Sequence, residues 1–448
     1  MSPLVHLAGR AVSRTSGLIF SRTARNSAVY LASSTLSALL PLLLLPLLVR
    51  TITPREFGYL AVLQSLIAVG SVVVGLGLAQ PYFRAAALLD RDERASYLGS
   101  CIAIMTAVFL VGLILTVSWP GLFAAAQLPA YWAAAALATA FALCLKQLYL
   151  MNLRADREPF RYGLIENIYA AANVTLSLVL VLAAGWGWRG RALGILASAV
   201  AMCPLILYLA FANRAIRWPK AQYVREAAKA GLAIMPHSLS GVTVSYADRF
   251  ILIAQFSLPA VGPYAATAQL AQALYLGSAA MNLALGPWSY AQLKGLTSAS
   301  DLRGYLRDLC LLSVLATVAA VTFYVGLRLA FPFIMPASYS GALVYLPWLV
   351  AGIYFNTLYF IFSAPLFYYQ RTQVLAVSGL FILASAVAAM FLFAYLFGPV
   401  GVAMGLCGAR LLLFLVATVA SGRLLVADCR RRGIDIRPAL DLFGVLRI

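Results

Sequence analysis

Apolar runs of about twenty residues recur along this chain with short charged connectors between them, the length needed to cross a bilayer as helix. Hydrophobic residues make up 63% of the 448 positions and charged residues 10%, against roughly half and a quarter in soluble domains. No soluble fold could bury that much apolar surface, and a β-barrel would show shorter, alternating segments. The runs predict twelve spans: 26–49, 58–80, 98–119, 130–151, 163–185, 192–213, 232–254, 264–286, 305–327, 342–364, 374–396 and 402–422.

An even count puts both ends of the chain on one side of the membrane. If that side is the cytoplasm, 26 of the 33 Lys and Arg fall on inner segments. The outer loops then hold Arg50, Arg55, Arg189, Arg191 and Arg328. The positive-inside rule therefore predicts cytoplasmic termini. The net charge of +19 is spread over these short loops, which reads as membrane orientation and gives no basic domain for nucleic acid. The N-terminal segment shows no cleavable signal peptide. The expected organisation is a basic tail or interfacial helix over 1–25, a six-helix lobe over 26–213, a basic linker over 214–231, a second lobe over 232–422 and a basic tail over 423–448.

The two lobes read as repeats. Pro54, Gly58, Tyr59 and Gln64 follow the first span, and Pro259, Gly262, Tyr264 and Gln269 follow the seventh. A G-x-A-x-G pattern precedes the last span of each half, as Gly190, Ala192 and Gly194 and as Gly401, Ala403 and Gly405. Six spans per half give both copies the same orientation, a parallel repeat about an axis along the membrane normal. The expected fold is thus all-α and integral to the membrane, with about twelve transmembrane helices in two six-helix bundles around a central cavity.

Ionisable residues inside spans are costly, at least ~2.5 kcal/mol near the bilayer centre, so each needs a reason. Arg410 lies near the midplane on a stripe of small residues formed by Ala403, Cys407, Ala417 and Ser421. It is read as lining the cavity and attracting an anion, the alternative being a structural pair with another helix. Asp248 shares a polar face with Ser238, Gly241 and Ser245. It suits either an ion pair across helices or coupling to a proton or sodium ion. Arg249 need not pair with it, because helix neighbours point about 100° apart, and it could snorkel outward. Lys146, two turns inside the fourth span, and Arg84, closing the second, could recruit an anionic headgroup. Ordinary anchoring is the other reading for Arg84. Glu166 reads as interfacial, near Arg161.

The six cysteines have no metal-ligand spacing and read as packing residues. His6 and His237 stand apart, so no metal site is expected. Pro41, Pro46, Pro236, Pro347 and Pro365 should kink helices. Aromatics such as Tyr354 and Phe355 suit sugar stacking or, as the default, the lipid face. The sequence contains no phosphate loop or nucleophile elbow, so neither ATP-driven transport by this chain alone nor catalysis is supported, and no cofactor is expected.

Three segments carry a family resemblance: SALLPLLLLPLLVRTITPREFGYLAVLQS (Ser37 to Ser65), YADRFILIAQFSLPAVGPYAATAQL (Tyr246 to Leu270) and FGPVGVAMGLCGARLLL (Phe397 to Leu413). They resemble the bacterial polysaccharide biosynthesis flippases of the Wzx type. The resemblance implies membership of the superfamily of multidrug antiporters and oligosaccharidyl-lipid and polysaccharide exporters. It further implies movement of an undecaprenyl-diphosphate-linked oligosaccharide across the bacterial inner membrane by alternating access, coupled to a proton or sodium gradient. A polysaccharide polymerase and a chain-length regulator are the implied protein partners. Arg410, Lys146, Arg84 and Arg249 would then meet the diphosphate and Asp248 the coupling ion. The rivals are a drug or metabolite antiporter of the same superfamily, which should have an acid-lined cavity, and a polymerase, which should have a large outer loop.

Overall fold

The computed structural model describes residues 22–119, 121, 127–369 and 372–435. His6, Arg371, most of the predicted N-terminal tail and the end of the C-terminal one lie outside the described residues. Each predicted span is occupied by helix. In chain order these are α1 (Arg22–Leu43), α2 (Leu45–Thr51), α3 (Pro54–Gly75), α4 (Ala79–Leu88), α5 (Arg91–Ser118), α6 (Ala130–Ala155), α7 (Pro159–Leu178) and α8 (Gly187–Ala212). They continue with α9 (Ala221–Gln255), α10 (Leu258–Lys294), α11 (Ala299–Ile334), α12 (Leu346–Phe362), α13 (Ala364–Tyr368), α14 (Thr372–Phe397) and α15 (Pro399–Arg431). A π-helical turn, Val179–Ala183, extends α7, and a 3-10 segment, Ala337–Tyr345, leads into α12.

Among the described residues, nine of these segments are long and apolar enough to cross a membrane. The other three predicted spans lie in α9, α10 and α14. α9 and α10 are 35 and 37 residues long, so ~50 Å at 1.5 Å per residue. Polar residues, Ser245, Asp248 and Arg249 among them, lower the mean hydropathy of α9.

Local chemistry sets the breaks. Pro41 lies inside α1 and Pro46 inside the first turn of α2, and the helix interrupts between them, because proline removes a backbone donor and crowds the preceding turn. Pro347 and Pro365 do not kink helices but start α12 and α13. Gly398, at φ +68°, occupies a conformation that side chains disfavour and turns the chain into α15. Asp90 caps α5 by accepting from the Glu93 N–H at 2.8 Å, and Ser298 with Asp301 forms a capping box on α11. Two boundaries differ from expectation. The stretch 214–231 holds only a short irregular connector, because α9 already begins at Ala221. The helix of the last span runs on to Arg431.

The chain forms two compact units. One takes in the described residues of 1–44, 66–124 and 128–235, with a core of Val74, Tyr82, Tyr97, Met105, Leu145 and Tyr149. The other takes in the described residues of 45–65, 125–127 and 236–448, with Leu285, Tyr305, Leu309, Leu358 and Cys429 packed together. Residues 45–65 therefore cluster with the second half of the sequence, although the lobe boundary was expected at 213. Within α9 the division falls at Pro236.

The repeated glycines play equivalent packing roles in the two halves. A Cβ on Gly194 would meet Ser177 N at 2.8 Å, and one on Gly405 would meet Met390 Cα at 2.6 Å. Both motifs thus let the last helix of a half lie backbone to backbone on its predecessor, α8 on α7 and α15 on α14. In the second unit a Cβ on Gly58 would meet the Leu258 carbonyl oxygen at 2.5 Å, and one on Gly262 would collide with the Pro54 carbonyl oxygen. Each helix start therefore presses its glycine against the other's first carbonyl. This reciprocity aligns Gly58 with Gly262 and so sets Tyr264 opposite Leu60, one residue away from the Tyr59 match that the sequence suggested. Burial agrees, since Leu60 and Tyr264 are both buried.

Candidate functional site

The second unit holds a cluster of buried ionisable groups near the end of α9. Asp248, on α9, is 1% exposed in its side chain and Arg249 is 16% exposed. Arg249 does not snorkel. Its Nη1 donates to both carboxylate oxygens of Asp248, at 2.7 and 2.8 Å, and to the Ser245 carbonyl at 2.9 Å. The Arg249 guanidinium packs over the rings of Tyr246 and Tyr264, at 5.2 and 5.8 Å. From α10, the Tyr264 hydroxyl donates to Asp248 Oδ2 at 2.6 Å. Tyr264 is fully buried and held edge-on by Tyr345 at 5.4 Å. Asp248 thus accepts from an adjacent arginine and from a tyrosine across the helix interface.

Arg410 is the contrasting cation. It sits about three turns into α15, ~16 Å from the helix start. It makes no hydrogen bond or ion pair with any described residue. Asp248, Tyr264 and Tyr275 lie within electrostatic range of it. Room for its side chain comes from Gly352 on α12, where a Cβ would stand 3.4 Å from Arg410 Cδ and 3.5 Å from Nη1. The half-buried guanidinium is therefore placed without being neutralised. A cation in that state attracts anions, and phosphate oxygens best match its planar fork.

In the first unit Lys146 is satisfied. Its Nζ lies 2.9 Å from Glu166 Oε2 and 4.2 Å over the Tyr169 ring, and Ser37 donates to the other Glu166 oxygen at 3.2 Å. Glu166 is thus the partner of Lys146, while Arg161 pairs with Glu158 at 2.9 Å. Arg84 is exposed on α4, outside the second span that it was expected to close. Of the predicted residues, Arg410, Arg249 and Asp248 share one unit, and Lys146 and Arg84 the other.

Sequence reasoning missed Tyr264 as the second partner of Asp248, Gly352 as the seat of Arg410, and Arg191. Expected in an outer loop, Arg191 is instead 4% exposed inside α8. Its Nη1 donates at 2.6 Å to both Asn173 Oδ1 and Ser177 Oγ on α7. The signal was present: Arg191 lies inside the G-x-A-x-G motif, and Asn173 and Ser177 are spaced one helical turn apart on the span before it.

Residues 23–291 match the family described as polysaccharide biosynthesis protein. No curated protein matches the chain in sequence. Among solved structures the chain is similar to an inward-facing multidrug resistance MATE family transporter of the MOP superfamily, with a TM-score of 0.71 and 14% identity over 89% of this chain and 98% of that one. It is similar also to a mutant of the Vibrio cholerae MATE transporter VcmN (TM-score 0.62, 14% identity, 91% and 97% covered). An outward-facing MATE transporter follows at a TM-score of 0.58 and 15% identity, with 89% and 94% covered. At these identities the likeness is one of fold.

Proposed function

The chain belongs to the polysaccharide biosynthesis protein family, and from that membership we propose that it is a flippase for an undecaprenyl-diphosphate-linked oligosaccharide. It is a multi-pass membrane protein of the MOP superfamily, placed by this reading in the bacterial inner membrane with both termini cytoplasmic. The diphosphate and glycan cross by alternating access while the lipid tail stays in the bilayer.

The observation that carries the reading is Arg410, a guanidinium about three turns into α15 with no hydrogen-bonding or ion-pairing partner among the described residues. The acid within electrostatic range of it, Asp248, already holds Arg249 at 2.7 Å, so the local balance favours an anionic cargo. Arg249, paired with Asp248, supports the fold of the site more than its charge, and Lys146, in the first unit, is likewise paired with Glu166. Arg84, exposed on α4, suits recruitment of the headgroup at the membrane surface. Coupling falls to Asp248: its protonation would release Arg249 and so link an ion gradient to the cation balance around Arg410.

A drug antiporter of the same superfamily is the second reading, favoured by the MATE likeness. The two part on one experiment. An Arg410→Gln strain with normal protein levels in the membrane should lose surface glycan and accumulate lipid-linked glycan on the inner leaflet. Full export by that strain would sink the flippase role of Arg410. Loss of cationic dye efflux with unchanged glycan would favour the antiporter.

A further inference from the structure

Outside that site, the second unit carries a groove between α11 and α12 with a volume of about 230 Å³. Thr317, Val321 and Tyr324 line it from α11, and Pro347, Val350 and Tyr354 from α12. Both sets follow the three-and-four spacing of one helix face, so the groove runs along the helices rather than across them. α11 is among the least buried helices, with Leu311, Val314, Val318, Val325 and Leu329 all exposed. In a bilayer such a face meets lipid.

Two polar contacts bound the groove. At its inner end Thr317 Oγ1 and the Tyr354 hydroxyl are hydrogen bonded at 2.9 Å. At its mouth Arg328, one turn beyond Tyr324, donates from Nη1 to the Tyr324 hydroxyl at 3.0 Å. Arg328 is exposed and has no acid within ion-pairing distance among the described residues. From Arg328 to Thr317 the groove spans ~16 Å at 1.5 Å per residue, close to the ~15 Å depth of one leaflet's hydrocarbon. Arg328 lies six residues before the end of α11 at Ile334, within snorkelling reach of the headgroup layer.

We propose that this groove binds an anionic phospholipid, one acyl chain lying between Val321 and Val350 and the phosphate on Arg328. The cation fits a net-anionic headgroup, whose phosphate offers a guanidinium two acceptors with no choline to balance its charge. The Thr317–Tyr354 floor fits a chain confined to one leaflet rather than a long polyisoprenoid. Tyr324 holds the guanidinium over the mouth.

The test uses the full chain in nanodiscs with phosphatidylglycerol or phosphatidylcholine bearing a photoreactive acyl chain, the adducts being mapped by mass spectrometry. Phosphatidylglycerol adducts should concentrate on α11 and α12 around Val321 and Val350. Arg328→Gln should lower them about fivefold, to the phosphatidylcholine level, by the loss of one near-surface cation. Ala351→Phe should remove them by filling the groove. Val321→Trp, which fills it from the exposed side of α11, does so without touching the core and covers the case in which the first variant fails to fold. Adducts spread evenly over all lipid-facing helices, or unchanged by either filling variant, would overturn the site. Equal labelling by the two lipids, insensitive to Arg328→Gln, would overturn the phosphate contact.

Discussion

Replacing Asp248 by Asn should destabilise the protein strongly, and replacing Arg249 as well should restore most of the loss. The asparagine keeps the shape and removes the charge, leaving a guanidinium that is only 16% exposed beneath two tyrosine rings. Breaking one side of a buried pair costs ~3–5 kcal/mol, because the surviving charge is stranded. The Tyr264 bond at 2.6 Å also falls from charge-assisted to neutral, which accounts for ~1 kcal/mol of that cost. The asparagine oxygen can still accept, so the low end, ~3 kcal/mol, is expected. For a unit of this size that corresponds to a fall in Tm of ~6–12 °C. Thermal unfolding in detergent can be followed with a thiol-reactive dye, since Cys407 and Cys429 are buried in the same unit. Asp248→Asn/Arg249→Gln should recover more than half of the loss. An unchanged Tm for Asp248→Asn, or a double variant no better than the single, would refute the pairing argument.

Arg410→Gln, by contrast, strands no partner and should leave Tm within about 2 °C of the wild type, as surface-like substitutions do; a large fall would mean that Arg410 is a structural pair after all. Gly352→Val should displace the Arg410 side chain, which already stands 3.4 Å from where a Cβ would be, and should cut glycan export while the protein remains in the membrane. In a double-mutant cycle, Lys146→Gln and Glu166→Gln should couple by ~1–3 kcal/mol, read as Tm differences, and additive losses would dissolve the pair. Gly262→Ala should lower Tm through its collision with the Pro54 carbonyl, whereas Gly304→Ala, with open space around it, should be neutral or slightly stabilising because alanine favours helix.

The helical spans were legible because each is a long stretch almost free of charge, and nothing but membrane helix tolerates that. Their edges were less so: α9 swallows much of the predicted linker because Arg225, Glu226 and Lys229 are good helix formers whatever their charge. The partners of the buried charges were not legible at all. Lys146 and Glu166 are joined across the α6–α7 hairpin, and no spacing rule links them. Arg249 reaches Asp248 by folding its long side chain back, a pairing that helix geometry had left open. Arg410 was visible as an anomaly in an apolar span, but the glycine that admits it lies on another helix. Tertiary packing, not periodicity, chooses which charge meets which.

The Gly58–Leu258 and Gly262–Pro54 crossing ties two distant positions to each other. Residue i of one copy touches residue j of the other, and j of the first touches i of the second, which is the pattern of an isologous interface on a two-fold axis. The two glycines are thus bound by one steric constraint, so a side chain gained at either must be answered by retreat of the opposing helix's first turn.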